Sequence, residues 1–187
     1  MSEGERFDVL IVGGGAAGLS CAIFLARAKL RVAVFDRAES SLRRVERVNN
    51  YLGFEEGIGG AELLDRGKRQ AERFGAQLFD LDVETVSRAD SGFSVHAGGR
   101  EWVCEYFVLA SNKRTDLALA LGLTLGGHGN RFVSADERGR TPVDGCYATG
   151  RITGLPSQAI VSAGHGAIVA IGIIETVRGE YYVDHDH

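Results

Sequence analysis

The sequence predicts an α/β fold, a central and mainly parallel sheet covered by helices, with a small antiparallel β-meander attached. Three observations predict it. An apolar, β-branched run at residues 7–12 (Phe-Asp-Val-Leu-Ile-Val) ends in a cluster of glycines. Apolar residues at helical spacing follow over residues 16–29, and a second β-branched run, starting at Leu30 or Arg31 and ending at Phe35, closes on Asp36. Strand, helix and strand within about 30 residues form a βαβ unit, whose crossover makes the two strands parallel.

Each element carries its own signal. Residues 7–12 lack the polar alternation of a half-exposed strand, which marks burial on both faces. In the helix, Leu19, Ala22, Ile23 and Ala26 fall on one side. Residues 38–60 hold arginines, Asn49, Asn50 and several glycines without periodicity, and read as a loop or short helical turns passing near a ligand. An amphipathic helix is expected over 61–74, with Leu63, Leu64, Gly67 and Ala71 inward and Gly75 ending it. Strands are expected at 77–81 and 83–88, then a hairpin of 92–97 with 101–104 about Gly98 and Gly99, then a separate core strand at 106–110. Beyond these come a short helix at 116–121, a strand fragment at 131–133, a buried strand at 145–149 ending at Gly150, and a last helix at 157–178. No repeat or linker divides residues 1–187, so one domain is expected.

Composition narrows the function. The 187 residues carry a net charge of -4 and have a pI near 5.7, and no basic face is segregated, which argues against nucleic acid as a partner. Arg43, Arg44 and Arg47 form a local exception, suited to a solvated face or to one phosphate. Cys21, Cys104 and Cys146 are widely spaced in apolar surroundings and read as buried reduced thiols, which points to a cytoplasmic location. The first residues are acidic and polar, unlike a signal peptide. Residues 159–174 are the most apolar stretch, yet they are interrupted by Ser162, His165 and glycines and fall short of a membrane span, so a buried helix is expected. The tail Asp184, His185, Asp186 and His187 reads as a loose terminus and not as a metal site.

Glycine, at 26 residues, clusters at particular turns, as where backbone must approach a ligand. Gly13, Gly15 and Gly18 form a GxGxxG pattern between the first strand and helix. The first glycine makes the tight turn, the second lets backbone approach a pyrophosphate, and the third packs helix on strand. The helix N-terminus, with Ala16 and Ala17, offers N–H groups and a positive dipole end to the phosphates. Asp36 sits where a ribose-binding acid is expected and favours a free 2′-hydroxyl, although Arg37 beside it pulls the other way. The fold is thus a Rossmann-like FAD/NAD(P)-binding three-layer fold.

Residues 7–35, with Val-Gly-Gly-Gly-Ala-Ala-Gly-Leu-Ser at their centre, resemble the N-terminal FAD-binding segment of the thioredoxin reductases and related FAD-dependent pyridine nucleotide-disulfide oxidoreductases. Asn50-Tyr51-Leu52-Gly53-Phe54 is similar to that family's Asn-Tyr-Pro-Gly-Phe beside the flavin, with Leu52 in place of proline. Residues 139–150 resemble the second FAD signature, and residues 157–164 the start of the helix that caps the flavin pyrimidine. The likeness extends over about residues 7–177. It implies FAD as cofactor, a helix dipole that stabilises negative charge on the reduced ring, and a homodimer. The cofactor contacts it implies are Gly13, Gly15, Ala16, Ala17, Gly18, Asp36, Arg37, Arg44, Asn49, Asn50, Val83, Ala110, Ser111, Gly150, Arg151, Gln158 and Ala159.

Three departures matter. After residues 107–110 the family enters an NAD(P)H-binding domain, whereas here residues 111–116 pass straight into what resembles the returning limb, and no second GxGxxG occurs. No two cysteines form a CxxC pair, so dithiol relay to thioredoxin is not expected. Arg151 stands where the family has an aspartate that accepts from a ribityl hydroxyl, and an arginine can only donate. Ser111 and Asn112 likewise replace a Thr-Gly pair.

No acid, base or nucleophile stands out. His165 reads as a packed, hydrogen-bonded histidine, and His96 and His128 as surface residues near turns. The expectation is a flavin-dependent oxidoreductase fed by a separate reductase or by transient NAD(P)H, passing electrons to a small acceptor or a partner protein. The rival is a non-catalytic module holding FAD or an adenine nucleotide. A NAD-dependent dehydrogenase is disfavoured, because no catalytic His, Lys or Tyr constellation accompanies the motif.

Overall fold

The computed structural model describes residues 4–183, so the tail Asp184, His185, Asp186 and His187 lies outside the described residues. Its strands are β1 (Glu5–Val12), β2 (Val32–Phe35), β3 (Gln77–Phe79), β4 (Val83–Arg88), β5 (Phe93–Ala97), β6 (Arg100–Leu109), β7 (Leu125–Gly126), β8 (Phe132–Val133) and β9 (Cys146–Ala148). The helices are α1 (Ala16–Arg27), α2 (Gly60–Arg73), α3 (Thr115–Ala120) and α4 (Ala159–Arg178), with 3-10 turns at Ser41–Arg44 and Gly150–Thr153.

A seven-stranded sheet runs in the order β3-β2-β1-β6-β5-β4, with β9 beside the C-terminal part of β6. The β1–β2, β2–β3, β1–β6 and β6–β9 pairs are parallel, while β6–β5 and β5–β4 are antiparallel. The predicted parallel core with an antiparallel meander is therefore observed.

The two strands expected at 101–104 and 106–110 are one continuous strand, β6. Its alternation breaks midway: Trp102 and Cys104 share a core face with Phe107 and Leu109, not with Tyr106. Its neighbour β1 makes the same shift, with Phe7 and Leu10 on one side and Val9 on the other. At that level the consecutive N–H groups of Asp8 and Val9 both donate to the Arg31 carbonyl, at 2.9 and 3.1 Å, a bulge that advances the faces by one residue. The interruption in the pattern, read as a strand end, is this irregularity. The β7–β8 pair was only half anticipated, through the fragment at 131–133, because its two-residue strands carry no periodicity.

Each face of the sheet has its own core. On one, Phe7, Phe35, Phe93, Trp102 and Phe107 pack with Leu117 of α3 and Val133 of β8. On the other, Val9, Ile11, Val34 and Val108 pack with Cys21, Ala22 and Leu25 of α1 and Val169, Ala170 and Ile173 of α4. Glycine permits the α1–α4 contact, since a Cβ on Gly166 would lie 2.2 Å from the Ala17 carbonyl oxygen. Helix α4 has 20 residues and begins two later than the expected 157–178; residues 159–174 were expected to fall short of a membrane span, but the whole helix is by length and composition long and apolar enough to cross one. Here its buried face lies against α1 and the sheet.

Strand β9 delivers the chain to the Gly150–Thr153 turn, and a histidine holds that turn in place. His165 is 8% exposed, and its Nδ1 accepts from the Gly150 N–H at 3.0 Å, with Thr149 Oγ1 at 3.4 Å. Accepting at Nδ1 leaves the proton of the neutral ring on Nε2. Burial lowers the His165 pKa, against the charge of Asp136 and a hydrogen bond that the ring donates to the Glu137 backbone, both of which raise it. The three cysteines are buried and free, and burial raises the thiol pKa in each, to about 12 for Cys104 and Cys146. His96 and His128 are exposed, as expected.

Two predictions follow from this packing. Trp102 is fully buried against Phe7, Phe35 and Phe79 and donates from Nε1 to the Ala97 carbonyl at 3.1 Å, so Trp102→Ala should cost about 3–5 kcal/mol in urea unfolding. His165 is held neutral in the fold, whereas the unfolded chain takes up its proton near a pKa of about 6.5. Its contribution is therefore intact above that value and lost as pH falls below it. Thermal unfolding of His165→Gln, which keeps an acceptor for Gly150, should decline less steeply than the parent from neutral pH to pH ~5.5.

Candidate functional site

The site begins where β1 stops. Gly13 adopts φ 110, a conformation strained for any side chain, and donates its N–H to the Phe35 carbonyl at 2.8 Å, which keeps the turn level with the end of β2. A Cβ on Gly14 would lie 2.7 Å from the Asp36 carboxyl carbon, and one on Gly18 would lie 1.9 Å from the Gly13 carbonyl oxygen. Gly15 differs: its φ of -79 suits any residue, and a Cβ there would meet only Ser40, with Oγ at 3.4 Å. It is the N-cap of α1, no side chain caps that helix, and no acid lies in its first turn. The first N–H groups of α1 thus have no side-chain acceptor and open toward a cavity.

Asp36 follows β2, its N–H donating to the Phe79 carbonyl at 3.0 Å. Its side chain is only 10% exposed, and Lys68 Nζ lies 3.3 Å from Oδ2 in an ion pair. That pair lacks hydrogen-bond geometry, and Oδ2 is buried without a hydrogen-bond partner. A buried carboxylate oxygen left this way is costly unless a donor meets it, and a ribose hydroxyl would do so.

Two adjoining cavities, of about 100 and 350 Å³, run from Asp36 past the glycine turn to the start of α4. The smaller is lined by Gly13, Gly15, Asp36, Arg37, Val83, Ala110 and Ser111. The larger is lined by Gly15, Ala16, Ala17, Ala110, Arg151, Gln158 and Ala159. The remaining candidates stand off the walls. Gly18 packs α1 on β1. Gly150 is buried at φ 74, its N–H taken by His165. Arg44 is exposed on its 3-10 turn and Asn49 is exposed in the following loop, because that segment turns outward there. Asn50 does not line either cavity, but its Nδ2 donates to Gln158 Oε1 at 2.9 Å, tying the loop to the N-cap of α4.

Sequence reasoning missed several lining residues. Ser40, Ser41, Leu42 and Val45 close one side of the larger cavity, and only the irregularity of that stretch hinted at it. Asp82, Lys113 and Arg114 rim the smaller one. Asp82 meets Arg37 at 3.1 Å and pairs with Arg114, which also holds Asp116 at 2.8 Å and so keeps that carboxyl below its usual range. Lys113 Nζ donates to the Glu39 carbonyl at 3.0 Å. Charged contacts therefore draw three loops together over the Asp36 end. Among the described residues no group of three or more His, Cys, Asp or Glu is arranged to hold a metal ion.

The geometry fits a dinucleotide: an uncapped helix N-terminus, a glycine turn with no room for side chains at Gly13, Gly14 and Gly18, and an acid short of a donor. Comparison with known proteins points the same way. Residues 8–43 match the profile of the FAD dependent oxidoreductase family. NADPH-dependent thioredoxin reductase 3 of Arabidopsis thaliana is 36% identical over 117 residues, covering 59% of this chain and 22% of that protein. Mitochondrial thioredoxin reductase 1 of the same plant is 27% identical over 190 residues, covering 98% and 49%. The chain thus spans less than half the length of these relatives. A thioredoxin reductase structure from Gloeobacter violaceus superposes with a TM-score of 0.88 at 18% identity, covering 99% of this chain and 100% of that one, which speaks for the fold. The chain is thus similar to thioredoxin reductases in sequence over part of their length and in fold over nearly all of its own, and the profile that residues 8–43 match is that of FAD dependent oxidoreductases.

Proposed function

We propose that this chain binds FAD along the two cavities and acts as an oxidoreductase of the thioredoxin-reductase-like type without dithiol chemistry, its electrons coming from a separate reductase or from NAD(P)H bound transiently. The observation that carries the reading is the continuous wall from Asp36 to Ala159, with the uncapped N-termini of α1 and α4 both opening on it. On this reading Asp36 accepts from the adenosine ribose and the first N–H groups of α1 hold the pyrophosphate. Gln158, steadied by Asn50, and Ala159 receive the ring at the start of α4. FAD, when bound, supplies the hydride and electron chemistry, and the protein supplies orientation and field.

Two features support the finer parts. The chain passes from β6 to α3 through residues 110–114 alone, too short a link for a nicotinamide-binding domain. The cysteines are buried with raised pKa values and sit on α1, β6 and β9, a poor arrangement for thiolate relay. A cytoplasmic homodimer completes the proposal, and sedimentation with FAD present would read its mass. Arg151, in place of an acceptor, favours a second reading in which FAD is held without turnover.

Visible spectroscopy separates these outcomes. Protein that turns yellow with FAD and bleaches anaerobically on adding NADH or NADPH supports direct turnover; bleaching by dithionite alone points to a partner-fed or non-catalytic flavoprotein; failure to take up FAD sinks the proposal. Gly15→Ala should fold normally, because its φ of -79 tolerates a side chain, yet lose FAD uptake by placing a methyl where the pyrophosphate approaches. Asp36→Ala should weaken FAD binding by about 10- to 100-fold, the loss of a hydrogen bond to a charged acceptor at about 1.5–3 kcal/mol.

A further inference from the structure

The larger cavity has a charge pattern that a pyrophosphate at α1 does not account for. No Asp or Glu lies on its wall, and the one charged side chain there is Arg151. Arg151 Nη1 donates to Ser157 Oγ at 3.1 Å, and Ser157 directly precedes Gln158, the N-cap of α4. The guanidinium is thereby tethered beside the start of α4, a helix with no side-chain cap and no acid in its first turn. Three other arginines around the site are matched by carboxylates, Arg37 by Glu39 and Asp82, Arg43 by Asp65, and Arg114 by Asp82 and Asp116, while Arg44 is exposed and off the cavity wall. Among the described residues Arg151 makes no ion pair, and a neutral hydroxyl positions it, so its charge is left to whatever fills the cavity.

We propose that Arg151 is an electrostatic tuning residue, which makes this site hold two-electron-reduced flavin more tightly than oxidised flavin. The inference rests on FAD lying as proposed above. The oxidised ring is neutral. Uptake of two electrons and one proton leaves one negative charge, spread over the ring edge that faces the start of α4 on that reading. An unpaired guanidinium there adds to the field of the helix end, and both favour the charged form in a cavity lined without acids. Arginine gives up the acceptor that a ribityl hydroxyl would use, at some loss to oxidised and reduced flavin alike, and gains a preference between the two.

The test is an anaerobic titration of the FAD-loaded full chain with dithionite against an indicator dye, run in parallel on Arg151→Gln and Arg151→Lys, with the dissociation constant for oxidised FAD measured separately for each. Arg151 is exposed, so neither change threatens the core. Arg151→Gln should lower the ratio of reduced-flavin to oxidised-flavin affinity about tenfold, a midpoint about 30 mV more negative for a two-electron couple. Arg151→Lys, which keeps the charge, should stay near the parent. A midpoint unmoved in Arg151→Gln overturns the proposal, as does a loss of affinity equal for both redox states, which would make Arg151 a phosphate contact. Failure of the parent chain to take up FAD at all would instead overturn the cofactor reading beneath it.

Discussion

Helix α1 meets the end of β1 so closely that a methyl group on Gly18 would sit 1.9 Å from the Gly13 carbonyl oxygen. The rest of the molecule depends on that approach. It sets the helix N-terminus directly above the carboxyl end of β1, where the sheet has no further backbone to pair with it, so the first N–H groups of α1 face a cavity. It also draws Ala17 near enough to the last two segments of the fold that they too must be glycine: a Cβ on Gly150 would lie 2.6 Å from the Ala17 side chain, and one on Gly166 2.2 Å from its carbonyl oxygen.

A second consequence is the convergence of two helix ends. Because Gly166 lets α4 lie on α1, the uncapped starts of both helices open on the same 350 Å³ cavity. Two partial positive charges that would repel in isolation are held together by the shared apolar face of Cys21, Leu25, Val169 and Ile173 beneath them. Burial of that face stabilises the contact, at about 25 cal/mol per Å² of apolar surface, in opposition to the field above it. An anionic ligand would then relieve a cost already built into the fold.

The opposite end of the site is closed by charge and not by packing. Asp82, from the turn before β4, gathers Arg37 and Arg114, while Lys113 reaches Glu39, so three loops distant in sequence meet over Asp36. The exposed pairs, Asp82 with Arg37 and Lys113 with Glu39, contribute little each, roughly 0–1 kcal/mol, and Asp82 with Arg114 is partly buried. Their effect is to set loop positions, made feasible by the short path from β6 to α3. The same pairing distinguishes Arg151, whose hydroxyl tether leaves its charge uncompensated.

The residues by themselves decided the βαβ unit, the glycine turn, the acid after β2, the amphipathic α2 and the buried thiols, because each rests on a local rule: side-chain period, the conformational freedom of glycine, or apolar context. The break in the alternation of β6, beside the bulge at Asp8 and Val9 of β1, misled that reading, since such an irregularity and a strand end disturb the same period. Only the tertiary structure decided which distant groups meet: Asn50 with Gln158, 108 residues apart, His165 with the Gly150 N–H, and Lys68 with Asp36. Such meetings follow from strand register and from how closely helices approach, quantities set by the packing of the whole chain that no short window of sequence contains.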